Sequence, residues 1–206
     1  MTRIVLLRHG YSVANSGRFF SGQTDVALEP IGFKQAESAA RYIVKNYKID
    51  KIYSSDLSRA YNTALPTAKA LSLPIETSEK LREIDVGVWA GLTGEKLMEL
   101  YPKEYSTYSK DITVHCVGGE SYGDLIVRAT TEIKRIVSEN DGKTVLVATH
   151  GGFTKALLFG LGYNGCKEIK DIPIVGNTAI TVLDFEDGKV TFVDVNNNKH
   201  LEDENL

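Results

Sequence analysis

Two short runs of branched apolar residues constrain the fold of this chain more than any other feature. Residues 4–7 and residues 145–148 are almost continuously apolar, and each run is followed by polar residues that include a histidine and then a glycine. Such runs are typical of strands buried on both faces of a parallel sheet. Ligands of these sheets bind beyond the carboxyl ends of the strands. Because His9 and His150 both follow such strands, the sequence predicts a paired site at one sheet edge.

The segments between these runs alternate between helical and extended patterns. Apolar spacing predicts a helix over about 31–47, and a short strand follows at 51–55. The next helix is expected to be capped by Ser55 or Asp56, with Pro66 kinking it or dividing it in two. A further short strand starts at Pro74.

The second half of the chain adds a helix, a strand and a hairpin. Ser121 and Asp124 form a capping-box pattern before a helix, and residues 179–185 and 190–195 read as a hairpin. The predicted fold is therefore α/β with three layers. It has a mostly parallel mixed sheet, helices on both faces, an antiparallel edge hairpin and a small cap insertion.

Length and composition favour an ordinary globular protein. The chain has 206 residues, 42% of them hydrophobic and 25% charged, so we expect a single domain over 1–206 with a cap-like excursion at about 86–120 and a helix near 93–101. A net charge of −3 gives no basic field for nucleic acid, and no apolar run is long enough to cross a membrane. We expect a cytoplasmic protein in which Cys116 and Cys166 are free thiols. The sequence does not determine the oligomeric state, and a homo-oligomer is one of the states that it allows.

The polar residues beside the strands have the properties that phosphoryl transfer requires. A nucleophile must face the phosphorus atom, and fixed donors must hold the nonbridging oxygens. His9 is the candidate nucleophile, with its other ring N–H held by a backbone carbonyl. Arg8 and Arg59 are the candidate phosphate clamps, and His150 is a further donor.

The departing oxygen also needs a proton, and Glu83 is the candidate donor. A carboxyl group beside a substrate phosphate is favoured in its protonated form, as a general acid requires. The backbone N–H groups at the helix opening with Gly151 and Gly152 are expected to add donors for the phosphate.

In its ordered motifs, the chain resembles the histidine phosphatase superfamily, the phosphoglycerate mutase-like phosphatases, over nearly its whole length. The matching blocks are Leu7-Arg8-His9-Gly10 with Asn15, then Gly22, Asp25 and Leu28, then Ser54-Ser55-Asp56-Leu57-Ser58-Arg59-Ala60, then Leu81-Arg82-Glu83, then Gly118-Gly119-Glu120-Ser121, and finally Thr149-His150-Gly151-Gly152. Six blocks in order are far more specific than any single one.

The resemblance implies a metal-independent phosphomonoesterase that acts on a small phosphorylated metabolite through a phosphohistidine. It implies His9 as nucleophile, Glu83 as proton donor, and Arg8, Arg59 and His150 as further members of the catalytic set. Residues expected to contact the substrate are Asn15, Ser21, Gly22 and Gly151. No metal and no organic cofactor is implied.

Two departures from the family pattern bear on the reaction. Tyr11 replaces the usual glutamate, and Ser21 stands where many relatives have glutamine, so the pocket rim differs. Mutases of the family follow the acid with Arg-His-Tyr-Gly, whereas residues 84–87 here are Ile-Asp-Val-Gly. Hydrolysis is therefore favoured, while a cofactor-dependent phosphoglycerate mutase and a non-catalytic phosphate-ligand binder remain the alternatives.

Several other residues are expected to be structural. Trp89 is interpreted as a core anchor, and Tyr101, Tyr105 and Tyr108 as packing residues of the cap. His115 and His200 are expected on the solvated surface, and residues 200–206 as a frayed tail.

Overall fold

The computed structural model describes residues 1–108 and 110–202, and it has the predicted three-layer α/β architecture. Six strands form one sheet in the order β3-β2-β4-β1-β5-β6. The strands are β1 (Thr2–Arg8), β2 (Lys51–Ser54), β3 (Ile75–Thr77), β4 (Thr144–Thr149), β5 (Ile180–Glu186) and β6 (Lys189–Asn197). Strands β1 to β4 pair in parallel, whereas β5 runs antiparallel to β1 and forms the edge hairpin with β6.

The helices lie on both faces of this sheet. They are α1 (Val13–Gly17), α2 (Pro30–Asn46), α3 (Ser58–Leu71), α4 (Gly94–Leu100), α5 (Pro102–Tyr108), α6 (Tyr122–Glu139), α7 (Gly151–Gly160) and α8 (Lys199–Glu202). None of the helices in the described ranges combines the length and the apolar character needed to span a lipid bilayer.

Alternating side chains of β1 divide between two cores, which explains why the first apolar run is continuous. Ile4 and Leu6 belong to the core under α6 and α7, while Val5 and Leu7 belong to the core under α2 and α3. All four side chains are at most 1% exposed. Successive strand residues point to opposite faces, so a strand covered on both sides must be apolar throughout.

Helix α3 begins and continues differently from the prediction. Its N-cap is Leu57, and the predicted caps Ser55 and Asp56 lie two residues and one residue too early, respectively. The Asp25 carboxylate, from a preceding loop, instead accepts hydrogen bonds from the backbone N–H and hydroxyl of Ser58 at 2.8 and 2.7 Å. Pro66 lies inside one continuous helix, so of the two expected effects the division is wrong and the kink stays a prediction. Helix α6 does begin with the predicted capping box.

The excursion between residues 86 and 120 packs on an aromatic cluster. Trp89 is fully buried, and the rings of Tyr101, Tyr105 and Tyr108 lie 5.2–6.3 Å from it, centroid to centroid. The predicted core anchor and cap packing are therefore confirmed. Removing a buried indole of this kind typically costs about 3–5 kcal/mol, so Trp89 anchors the excursion over the sheet edge.

The C-terminal prediction is partly wrong. His200 lies in α8, is only 3% exposed, and its ring nitrogen Nε2 lies 3.0 Å from the Thr178 hydroxyl. It packs against α2, where the Ser38 hydroxyl donates to its carbonyl. The rest of the predicted frayed tail, residues 203–206, lies outside the described residues. His115 is exposed, as expected, and both cysteines are free thiols.

Candidate active site

The carboxyl ends of β1 and β4 bring the two predicted histidines together. Arg8 pairs with Thr149 in the sheet register, and the His9 backbone N–H donates to the Thr149 carbonyl at 2.9 Å. The two imidazole rings that follow lie 5.3 Å apart, centroid to centroid. The predicted paired site at one sheet edge is therefore confirmed.

The His9 ring is oriented by its own neighbour. Its Nδ1 lies 2.8 Å from the Gly10 carbonyl oxygen, which only accepts, so Nδ1 carries the proton. Burial lowers the pKa of His9 well below its ordinary value, and the charges of Arg8 and Arg59 lower it further. The imidazole is therefore neutral, with the lone pair of Nε2 available. This is the orientation that the sequence analysis expected.

His150 is the more enclosed of the pair, with no exposed surface. Its Nε2 lies 2.9 Å from the hydroxyl of Ser55, which follows β2. Burial, and then the charge of Arg59, lowers the pKa of His150 well below the ordinary value. Both rings are thus neutral groups placed beside cations.

The two arginines approach the histidines from different elements. Arg8 ends β1 and donates from Nη1 to the Val175 carbonyl. Arg59, in the first turn of α3, is 1% exposed and donates to the carbonyls of Gly22 and Thr24 at 2.8 and 2.9 Å. Arg59 therefore ties the loop after α1 to the site as well as bringing its charge there.

Three nitrogen atoms of this cluster are buried without a hydrogen-bond partner among the described residues. They are Nε of Arg8, Nε of Arg59 and Nδ1 of His150. Buried polar groups in folded proteins are nearly always paired, since an unpaired one costs about 1–3 kcal/mol. Unpaired nitrogens grouped around two guanidinium groups are what an anion with several oxygens would satisfy.

Glu83 is held against the start of α7 by backbone groups. Its carboxylate accepts hydrogen bonds from the N–H groups of Gly152 (2.8 Å), Phe153 (2.9 Å) and Ile84 (2.9 Å). Glycine is required at position 152 because a Cβ there would lie 2.4 Å from a Glu83 oxygen. For Gly152, the expectation that its N–H adds a phosphate donor is wrong, because this N–H donates to Glu83. For Gly151, which lines the cavity, the expectation stays a prediction.

A cavity of about 190 Å³ opens in front of this cluster. Most of the predicted site residues line it: Arg8, His9, Asn15, Ser21, Gly22, Glu83 and Gly151. Arg59 and His150 do not line it and are buried, at most 1% exposed. The cavity therefore has a cationic floor, with Glu83 at its side.

Asn15 is fixed by the short helix α1. Its Oδ1 accepts from the backbone N–H and hydroxyl of Ser12 at 3.0 and 2.9 Å and from the Asn177 amide at 3.2 Å. The Asn177 amide also donates to the His9 carbonyl at 3.1 Å. These bonds turn the amide nitrogen of Asn15 away from its partners, which is the orientation needed to donate to a ligand.

Sequence reasoning missed the role of Arg128, which organises the segment that carries the acid. Its guanidinium donates to the carbonyls of Lys80, Arg82 and Glu83 at 2.8–3.0 Å. It also pairs with Glu120 at 2.6 Å. The available signal was an arginine inside the apolar stripe of α6, between Leu125 and Ala129.

Two tyrosines of the cavity wall were also missed as site residues. Tyr108 ends α5 and Tyr122 begins α6, and their rings lie 5.0 Å apart, centroid to centroid. Both line the cavity and are 6% exposed. For Tyr108 the sequence favoured packing and left contact with a substrate open; the residue packs on Trp89 and also lines the cavity.

Fold and site together define an α/β protein with an anion site of paired histidines and arginines at the carboxyl edge of a parallel sheet. The chain belongs to the histidine phosphatase superfamily (branch 1), whose family model matches residues 4–198.

Among curated proteins, the chain is 36% identical over 157 residues to a bifunctional protein of Mycobacterium tuberculosis. The match takes in 76% of this chain but 43% of the relative, so the chain spans less than half of that protein's length.

Solved structures of the same family have the same fold. The mycobacterial glucosyl-3-phosphoglycerate phosphatase with bound VO3 superposes with a TM-score of 0.88 at 30% identity, over 95% of this chain and 99% of that one. The phosphoserine phosphatase of Entamoeba histolytica with phosphoserine gives a TM-score of 0.86 at 29% identity, over 98% and 100%.

Proposed function

We propose that this protein is a metal-independent phosphomonoesterase that hydrolyses a small phosphorylated metabolite through a covalent phosphohistidine. The observation that carries the proposal is the group of three unpaired buried nitrogens, on Arg8, Arg59 and His150, beside the neutral ring of His9. A phosphoryl group in front of His9 would bring several oxygen acceptors close to this group of nitrogens.

In the first step, the lone pair of His9 Nε2 attacks the phosphorus atom of the ester. The N–P bond forms as the bond from phosphorus to the leaving oxygen breaks, and Glu83 gives its proton to that oxygen. The Gly10 carbonyl holds the Nδ1 proton throughout, so the ring keeps one orientation. Arg8 and the amide of Asn15, which line the cavity, hold the nonbridging oxygens. Arg59 stabilises the charge of these oxygens from its buried position near His9, and the ring of His150 packs against the ring of His9.

In the second step, the Glu83 carboxylate takes a proton from water, and the resulting nucleophile attacks the phosphorus atom of phosphohistidine. The N–P bond breaks, the electron pair returns to His9 Nε2, and inorganic phosphate leaves. Glu83 is protonated again, so the cycle closes with the same groups in the same states.

The substrate class is supported by the two related structures, which are those of a glucosyl-3-phosphoglycerate phosphatase and a phosphoserine phosphatase. We infer that the excursion over residues 86–120 acts as the cap that meets the leaving group. Its contribution to the cavity is Val86 and Tyr108.

Steady-state assays distinguish the proposed hydrolysis from the two alternatives. We expect release of phosphate from 4-nitrophenyl phosphate in the presence of a chelator, and its loss by about 10³-fold or more in His9→Ala. Conversion of 3- to 2-phosphoglycerate without net hydrolysis would instead establish a mutase. Phosphate binding with no turnover of any ester would leave a non-catalytic binder.

A further inference from the structure

The part of the cavity that faces the leaving group is uncharged and largely aromatic. Beyond Arg8, His9 and Glu83, no lining residue of the described chain is acidic or basic. Apart from the residues assigned to the phosphate, the wall consists mainly of Phe19, Phe20, Ile84, Val86, Tyr108 and Tyr122, with the hydroxyls of Ser12 and Ser21. A leaving group therefore meets rings and aliphatic carbon.

The other cations near the site are already engaged or face elsewhere. Arg128 is bonded to Glu120 and to three carbonyls of the segment that carries Glu83. Arg82 pairs with the carboxylate of Asp56 through two nitrogens. Arg18, after α1, is exposed and does not line the cavity. A second anionic group on the substrate would find no guanidinium or ammonium partner in the wall.

The same wall would disfavour that second anion. A carboxylate removed from water without a paired cation loses its hydration uncompensated. It would also lie beside the Glu83 carboxylate, which becomes negative once its proton has left. The phenols of Tyr108 and Tyr122 are uncharged, because burial raises the pKa of both, that of Tyr122 to about 12.

The aromatic wall is also built rigidly. The Tyr108 ring lies 5.2 Å from Trp89 in an edge-on arrangement, centroid to centroid, and 5.0 Å from Tyr122. Phe20 is joined to the excursion by backbone hydrogen bonds with Gly91 and Leu92 at 2.8 and 3.0 Å. A preformed apolar surface selects ligands at little cost in ordering.

We propose that the leaving group of the natural substrate is uncharged and has an apolar or aromatic face, with Phe20, Tyr108 and Tyr122 as specificity-determining residues. This inference rests on the proposed phosphatase function. It separates the chain from the related phosphatases named above, since phosphoserine and glucosyl-3-phosphoglycerate both carry a carboxylate in the leaving group.

The test compares two substrates of almost the same size and leaving-group acidity, 4-ethylphenyl phosphate and 4-(carboxymethyl)phenyl phosphate. We expect kcat/KM of the unmodified protein to be at least about 10-fold higher for the uncharged ester. Equal values, or a higher value for the carboxylate, would overturn the inference and leave the phosphatase function intact. Absence of turnover with both esters and with 4-nitrophenyl phosphate would overturn both.

A rim residue gives a second measurement. Ile174 lines the cavity and is 51% exposed, so a lysine there is compatible with folding. We expect Ile174→Lys, which adds a cation at the rim, to lower the ratio of kcat/KM for the uncharged ester to kcat/KM for the carboxylate ester by several-fold. Ile174→Met should leave this ratio unchanged. An unchanged ratio in Ile174→Lys would count against a wall that discriminates by charge.

Discussion

The protonation state of His9 follows from its surroundings at the level of single atoms. An imidazolium there would be buried and would face the charges of Arg8 and Arg59, so its pKa is lowered. The Gly10 carbonyl then decides which nitrogen keeps the remaining proton. The nucleophile His9 therefore stays neutral at pH values below the range in which a histidine usually titrates.

This state gives a prediction for the pH dependence of the free protein. Because the folded-state pKa of His9 lies below the ordinary value of about 6.5, its ring should remain neutral as the pH falls through that value. We expect the His9 ring signals in an NMR titration to keep their positions between about pH 7.5 and pH 6. A His9 titration centred near pH 6.5 would contradict this reading.

Glu83→Gln tests the proposed proton donor. Glutamine keeps one oxygen for the backbone donors of α7 but has no acidic proton. We expect kcat/KM, which reports the phosphorylation of His9, to fall by about 10²- to 10⁴-fold for an alkyl phosphate. It should fall far less for 4-nitrophenyl phosphate, whose leaving group needs no proton. Equal losses with both substrates would remove Glu83 from the role of acid.

The sequence predicted the residues of the site better than their arrangement. Strand ends placed His9 and His150 together because the register of parallel strands is local and regular. That Arg59 is buried rather than on the cavity surface depends on its hydrogen bonds to the loop at residues 22–24, which no local pattern encodes. The hydrogen bonds between Glu83 and α7 join segments about 70 residues apart, so no local sequence pattern predicts them either.

At the level of elements, the start of α7 is occupied by the Glu83 carboxylate. The first N–H groups of α7 have no partner within the helix, and those of Gly152 and Phe153 donate to the Glu83 side chain. Gly152→Ala would place a methyl group 2.4 Å from Oε1 and displace the acid. We expect a loss of activity with alkyl phosphates comparable to that of Glu83→Gln, measured by kcat on folded protein.

Gly123→Ala is the matched control for this variant. Gly123 is also the second residue of its helix, α6, and an added Cβ there would approach the Ile112 carbonyl oxygen to 3.0 Å. We expect nearly unchanged kcat. Comparable losses in the two variants would point to general disturbance of the fold rather than to a displaced Glu83.

Helix α6 positions the acid segment through Arg128. Lysine has one charge centre and no planar fork, so Arg128→Lys cannot serve Glu120 and three carbonyls together. We expect kcat for an alkyl phosphate to fall by about 10-fold, since the position of a general acid is critical. Arg135→Lys, on the same helix but away from the cavity, should leave kcat within about 2-fold. Parallel effects of both substitutions would argue against positioning by Arg128.

Element boundaries were predictable where the signal was local and were missed where it was distant. The capping box of α6 and the spacing of α2 gave those helices directly. Helix α3 takes its N-terminal partner from Asp25, 33 residues earlier, so a search for a nearby cap failed. The burial of His200 depends on α8 packing against α2, a contact without any local pattern.

At the level of the whole molecule, the site reduces stability in acid. His9 and His150 are buried as neutral rings, so between their folded and unfolded pKa values the unfolded chain binds more protons. Their contribution to the free energy of unfolding therefore falls as the pH drops below about 6.5, by up to about 1.4 kcal/mol per pH unit for each ring. Urea unfolding at pH 7.5 and pH 5.5 measures this. His9→Gln should show a smaller decrease, and an identical decrease would contradict the assignment to His9.

The most direct test of the account is to identify the phosphorylated residue during turnover. The protein reacts with an aryl phosphate that carries ³²P in its phosphoryl group, the reaction is quenched rapidly without acid, and the labelled peptide is identified. We expect the label on His9, as a phosphoryl group that is stable in alkali and labile in acid. The label should be absent from His9→Ala and should accumulate in Glu83→Gln, where water is no longer activated. Turnover with no label on His9, or with the label on another residue, would contradict the central claim.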